Sequence, residues 1–238
     1  MHSFYNKLTS QLSGMDGGNI RSKLWFSGLE WAGGDEAITL DITRPILEIN
    51  GFRVPYLSNK WKSDNPNFYK WQFDQKIAKI ICKAIDFEGG YKKYMKDSYC
   101  NFDSNEFKLN LFPLPCKNIS VWSDAHIELT KTKIKYHYQT YCSGTRFKLL
   151  SALVKKFEPK VIVCFGQRYL EEYKMAFWDC NQNSVNYREV LAPVGVKNTL
   201  KILIADGLPI LVIAPFLGRN LVANAELDLV GETIKKYL

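Results

Sequence analysis

Histidine is scarce in this 238-residue chain: His2, His126 and His137 are the only three. A metal centre built on imidazole ligands is therefore not expected. The six cysteines are Cys82, Cys100, Cys116, Cys142, Cys164 and Cys180, and no two are closer than sixteen residues. That spacing leaves no C-x-x-C pair for zinc or an iron–sulfur cluster. Apolar settings such as Ile81-Cys82 and Val163-Cys164-Phe165 read instead as buried, reduced thiols. No apolar run approaches the roughly twenty residues that cross a bilayer. Met1 to Lys7 are followed by no apolar stretch of the signal-peptide kind. Neither G-x-G-x-x-G nor a Gly-Lys-Ser/Thr phosphate loop occurs, and no internal repeat or low-complexity tract is visible. These absences lead to an expected cytoplasmic protein that needs no cofactor and no metal and touches no membrane; a monomer is expected.

What is present is a globular composition, 46% hydrophobic and 24% charged, which excludes intrinsic disorder. The length suits one α/β domain over residues 1–238. The net charge is +8, and it is concentrated. Residues 60–96 hold nine lysines against Asp64, Asp74, Asp86 and Glu88. Residues 131–160 hold seven lysines and Arg146 against Glu158 alone, leaving the rest of the chain net acidic. Concentrated basicity fits a phosphate backbone, although two solvated lysine-rich helix faces would look the same.

Four short apolar runs read as strands: 23–27, 107–112, 160–165 and 210–214. Continuous rather than alternating hydrophobicity indicates strands covered on both faces. The expected architecture is a three-layer α/β/α fold around a mainly parallel four-stranded sheet. Helical periodicity is expected over 67–85, 137–157, 167–177 and 223–237. Lys201–Ala205 and Leu208–Ile213 flank Asp206-Gly207, a favoured two-residue hairpin turn. Residues 29–66 read as one long irregular region.

Ligands of open α/β sheets bind beyond the carboxyl ends of the strands, so the segments that follow the runs are the candidate site. Gly28, Gly33 and Gly34 would allow close backbone approach, and Glu30, Asp35 and Glu36 bring carboxylates to the same loop. A turn with solvated acids is the competing account. Asn110 interrupts a Leu/Phe strand, where its amide either ties down backbone or reads a polar ligand. Trp31, Phe112 and Phe216 offer ring faces near one edge, and Arg219-Asn220 follows Gly218 with a cation and an amide.

This order of motifs resembles the uracil-DNA glycosylase superfamily. Asn110-Leu111-Phe112-Pro113-Leu114 is similar to the second-strand segment of its single-strand-selective members, and 157–166 to the helix–Pro–strand–Gly step before the third loop. The resemblance spans most of residues 20–237. It implies a DNA glycosylase that flips a nucleotide and hydrolyses its N-glycosidic bond. Glu30 would position water or stabilise the sugar cation, with Asp35 in reserve and Asn220 in the last loop near the leaving base. Gly28, Trp31, Gly33, Asn110 and Phe112 would hold the base. Pro215, Phe216, Gly218 and Arg219 would grip DNA, with Arg146 and Lys148 representing the basic tracks.

Two departures from the family pattern stand out. Ala214-Pro215-Phe216 replaces the usual His-Pro-Ser, and Trp31-Ala32-Gly33-Gly34 lacks the bulky residue that excludes 5-substituted pyrimidines. Small residues leave volume, so the expected substrate is a bulky modified pyrimidine, such as glucosylated hydroxymethylcytosine of phage DNA, with an antiviral role. A uracil or mismatch repair glycosylase, a catalytically silent DNA-binding module and an enzyme of free nucleotides remain open alternatives.

Overall fold

The computed structural model describes residues 9–12, 16–33, 35–38, 44–118, 120–179, 185–218 and 223–238. The sheet is assembled from β1 (Gly17–Gly18), β2 (Leu24–Gly28), β5 (Phe107–Asn110), β6 (Val161–Phe165), β7 (Arg188–Val194), β8 (Asn198–Ile204) and β9 (Ile210–Ala214). Its spatial order is β1-β5-β2-β6-β9-β8-β7. The four expected strands form the parallel centre, β5-β2-β6-β9, in register through pairs such as Gly28↔Asn110, Ser27↔Cys164 and Phe165↔Ala214.

Successive residues of these strands enter opposite cores. Trp25, Leu109, Ile162 and Ile213 pack against α6 (Lys135–Gly144), α7 (Arg146–Phe157) and α8 (Leu170–Phe177). Phe26, Val163, Phe165 and Val212 pack against α3 (Gln72–Ala84), α4 (Gly90–Asp97) and α9 (Asn224–Lys235). Burial on both faces is why the strands read as unbroken apolar runs.

Among the described residues the sheet has seven strands rather than four. The hairpin about Asp206-Gly207 forms, pairing Lys201 with Ile213 and Leu203 with Leu211, so β8 extends the sheet antiparallel. β7 then adds an outer strand paired along β8. Its exposed charges and Pro193 are tolerated because among the described residues one of its edges faces no other strand. At the opposite edge β1 is only two glycines, and a Cβ on Gly18 would lie 2.8 Å from the Glu106 carbonyl oxygen. No hydrophobic pattern marks such a strand.

Two further corrections concern local structure. Residues 29–66 are not uniformly irregular, since they contain α1 (Asp35–Ile38), α2 (Asn59–Asp64) and a two-stranded sheet of β3 (Ile46–Ile49) and β4 (Phe52–Pro55). Asn50 and Gly51 turn that hairpin with φ of 52° and 82°, a conformation Asn-Gly adopts readily. The expected 137–157 helix is two helices, one ending at Gly144 and the next starting at Arg146, with Thr145 as the break. The remaining helix, α5 (Asp124–Thr130), follows the β5 loop. Among the described residues no helix is long and apolar enough to cross a membrane.

Candidate functional site

Because β2, β5, β6 and β9 are parallel, the loops that follow them emerge at one end of the sheet. The first two are laced together. Leu111 and Phe112 donate their amides to the Gly28 and Leu29 carbonyls at 2.9 and 2.7 Å, and Cys116 donates to the Trp31 carbonyl at 3.0 Å. The Trp31 indole N–H donates to the Pro113 carbonyl at 3.1 Å. Gly28 is required by its neighbour across the ladder: a Cβ there would sit 2.8 Å from Asn110 Oδ1 and 3.4 Å from the Phe73 ring. The third loop starts at Gly166, whose φ of 122° a side chain would rarely adopt and whose amide donates to the Ala214 carbonyl.

Glu30 sits at the centre of this end and is largely buried. Lys135, at the start of α6, donates from Nζ to Glu30 Oε1 at 2.7 Å and to Cys116 Sγ at 3.3 Å. Among the described residues the other carboxylate oxygen, Oε2, is buried without a hydrogen-bond partner. Burial pushes the Glu30 carboxyl above its usual range, and the Lys135 charge offsets part of that rise. A half-satisfied buried carboxylate is costly unless a ligand or water completes it.

A polar relay leads outward from Glu30. His126 Nε2 is 2.8 Å from the Pro115 carbonyl and 3.5 Å from Cys116 Sγ. A carbonyl only accepts, so Nε2 carries the proton and His126 is no base toward the thiol. Burial and the Glu30 charge push the Cys116 thiol up to about 12, so it is no thiolate nucleophile either. The Ser123 amide donates to His126 Nδ1 at 3.3 Å, and the Ser123 hydroxyl donates to Asp35 Oδ1 at 2.6 Å. The chemistry of this end therefore rests on a carboxylate and an ammonium. Among the described residues no three His, Cys, Asp or Glu side chains group as a metal site needs.

The structure brings Gly28, Glu30, Trp31, Asn110 and Phe112 together. Asn110 is 5% exposed, and among the described residues its side-chain amide makes no hydrogen bond. Its backbone, in contrast, is clamped: the amide donates to Asp16 Oδ1 at 2.7 Å and the carbonyl accepts from Arg146. Asn110 lies on the α3 side of the sheet, next to Phe73, and Glu30 on the α6 side. Phe112 is a buried wall ring packed against Phe147 at 5.9 Å, Tyr138 at 6.2 Å and Tyr169 at 6.3 Å. Trp31 and Gly33 are half-buried, and Asp35 is exposed at the outer end of the relay.

The expected DNA contacts divide. Arg146 is overturned as one: it is fully buried, pairs with Asp16 Oδ2 at 2.6 Å and donates to the Asn110 and Gln11 carbonyls. A guanidinium without solvent access cannot touch phosphate. It anchors the second strand instead. Lys62 leaves the first basic track for the same reason, being 1% exposed and bonded to the Lys96 carbonyl. Lys148 is exposed in the first turn of α7. Pro215 is buried, Phe216 is 40% exposed, and Gly218 is exposed, where an added Cβ would lie 2.8 Å from the Phe216 ring. Lys76 of α3 ties down this last loop through the Leu217 carbonyl at 2.5 Å. Arg219 and Asn220 lie outside the described residues.

Sequence reasoning missed Lys135, Cys116, His126 and Ser123. The one local signal was Lys135 amid an acid-free stretch, which reads as a surface cation until the fold turns it inward. A comparison of the chain with protein-family models and with curated proteins finds no match.

Proposed function

We propose that this chain is a DNA N-glycosylase that hydrolyses the glycosidic bond of a flipped, bulky modified pyrimidine and leaves an abasic site. The observation that carries the reading is the buried Glu30 carboxylate, held through Oε1 by Lys135 at 2.7 Å at the end of the sheet where the Asn110 side-chain amide makes no hydrogen bond among the described residues. Flipping costs a few kcal/mol, which pocket contacts to the base offset. Asn110, able to donate and accept at once, reads the base edge, and the Trp31 ring flanks it.

In the reaction the bond between C1′ and the base nitrogen breaks and its electron pair departs with the base. The developing sugar cation is stabilised by the Glu30 carboxylate in a low-dielectric setting. Water then adds to C1′ and its proton passes to Glu30 or to solvent. Lys135 favours the ionised carboxylate and offsets part of the burial that opposes it. The run Ala32-Gly33-Gly34 leaves room for a 5-substituent, which favours a hypermodified base of phage DNA inside an infected cell.

The test is base release from duplex and single-stranded DNA carrying uracil, hydroxymethylcytosine or glucosylated hydroxymethylcytosine, with mass detection of the freed base. Release of the glucosylated base supports the reading. Release of uracil alone replaces the bulky-base reading with a repair glycosylase. DNA binding with no release from any substrate leaves a silent binding module, which Ala214-Pro215-Phe216 in place of the family's histidine would explain.

A further inference from the structure

Away from the strand ends, α3 and α4 diverge over a groove of about 360 Å³ lined by Tyr69, Gln75, Tyr91, Lys92, Met95 and Lys96. The volume falls in the range of small-ligand sites. Its floor is apolar, since Met95 is buried, while Tyr69 and Tyr91 are half-buried and Lys92 and Lys96 are exposed. The composition is two aromatic rings beside two free-standing cations. Tyr91 already carries a cation, with Lys79 Nζ 4.6 Å from its ring centroid. Asp97, the acid whose charge reaches Tyr69, is neutralised by Lys93 at 2.6 Å.

Lys79 sits one turn from Gln75 and next to Lys76 on the same face of α3, and Lys76 reaches the loop after β9. A cationic edge thus runs from that loop to the groove. Apolar peptides would not need this charge, and free phosphate would not need the rings. Stacked bases on a phosphate chain use both.

We propose that the groove between α3 and α4 binds one or two unpaired nucleotides of a single-stranded nucleic acid, with Tyr69 and Tyr91 stacking on bases and Lys92 and Lys96 meeting phosphates. The site goes beyond base excision at Glu30 and does not depend on it.

The test uses a 12-nucleotide single strand containing 5-iododeoxyuridine, photocrosslinked to the full chain and mapped by mass spectrometry, together with binding titrations across salt. Crosslinks at Tyr69 or Tyr91 are expected. Tyr91→Leu should weaken binding about tenfold while Tyr91→Phe, which keeps a ring, stays near the parent. Lys92→Ala with Lys96→Ala should lower the slope of log affinity against log salt by roughly 1.4. Thermal melting of each variant separates lost contacts from lost fold. Crosslinks confined to other segments with all variants at parental affinity overturn the proposal. So does stronger capture of an acidic peptide than of the oligonucleotide. Because Glu30→Gln can abolish base release without touching these readouts, the groove and the excision reading fail separately.

Discussion

Lys135 Nζ lies 2.7 Å from Glu30 Oε1 although the two residues are 105 positions apart. Neither side chain is open to solvent, with 12% and 7% of their surfaces exposed. The pair is therefore screened little by salt, and removing one partner strands the other. Lys135→Met should destabilise the fold by about 3 kcal/mol, the cost of breaking a buried pair. It should also raise the Glu30 carboxyl further, because the lowering influence of the cation is gone. Base release that needs ionised Glu30 rises with pH through a midpoint above the ordinary carboxylate value. In Lys135→Met that midpoint moves to higher pH, and Lys135→Arg keeps it near the parent. A pH profile of release checks the sign, and an unmoved profile removes Lys135 from the reaction.

Glu30→Gln should leave DNA affinity within about twofold and lower release by 10² or more, as expected for loss of an electrostatic group that acts in the transition state. Single-turnover release and a binding titration on the same preparation separate the two effects. Unchanged turnover would transfer the role to Asp35.

Gly28→Ala places a methyl 2.8 Å from Asn110 Oδ1 and 3.4 Å from the Phe73 ring. The amide must turn away from the ladder, and the site loses the group proposed to read the base while Glu30 stays in place. The expected result is weaker discrimination among modified pyrimidines at nearly unchanged affinity for unmodified DNA.

Arg146→Ala should act on stability and not on DNA contact. The substitution removes the cation from Asp16 and from the Asn110 carbonyl in a fully buried setting. A loss of about 4 kcal/mol corresponds to a Tm lower by roughly 10 °C at this chain length. Folded Arg146→Ala, assayed well below its Tm, should bind DNA with parental salt dependence.

Glu106 offers a separate pH signature at the amino end of β5. Its carboxyl accepts from the Cys100 amide at 2.6 Å and from the Tyr94 hydroxyl, yet burial pushes it up to about 7. Between the unfolded carboxylate value, near 4.5, and 7 the folded state holds a proton that the unfolded state has lost. Stability therefore falls as pH rises through this window, by up to about 3 kcal/mol. Denaturant midpoints at pH 5 and pH 7.5 should differ in the parent by more than in Glu106→Gln.

The parallel centre of the sheet was legible in the chain because burial on both faces leaves a continuous apolar signature, as in Val161 to Phe165. The Asp206-Gly207 hairpin was legible because its turn needs residues that accept positive φ. Asn50-Gly51 carried the same signal inside a region otherwise read as irregular. β1 and β7 were not legible, since a pair of glycines and an exposed edge strand bury too little to leave a pattern.

Charge behaved in the opposite way. The sequence by itself determined how many cations each segment carries and that Glu30 and Asn110 follow or close the first two central strands. Only the tertiary structure decided which cations face water. Arg146, Lys62 and Lys135 have the same composition signature as Lys92 and Lys148, but the first is locked on Asp16, the second lies under the Lys96 carbonyl and the third is paired with Glu30 Oε1. Desolvation depends on neighbours distant in sequence, such as the 105 residues between Lys135 and its carboxylate, and local pattern holds no record of them.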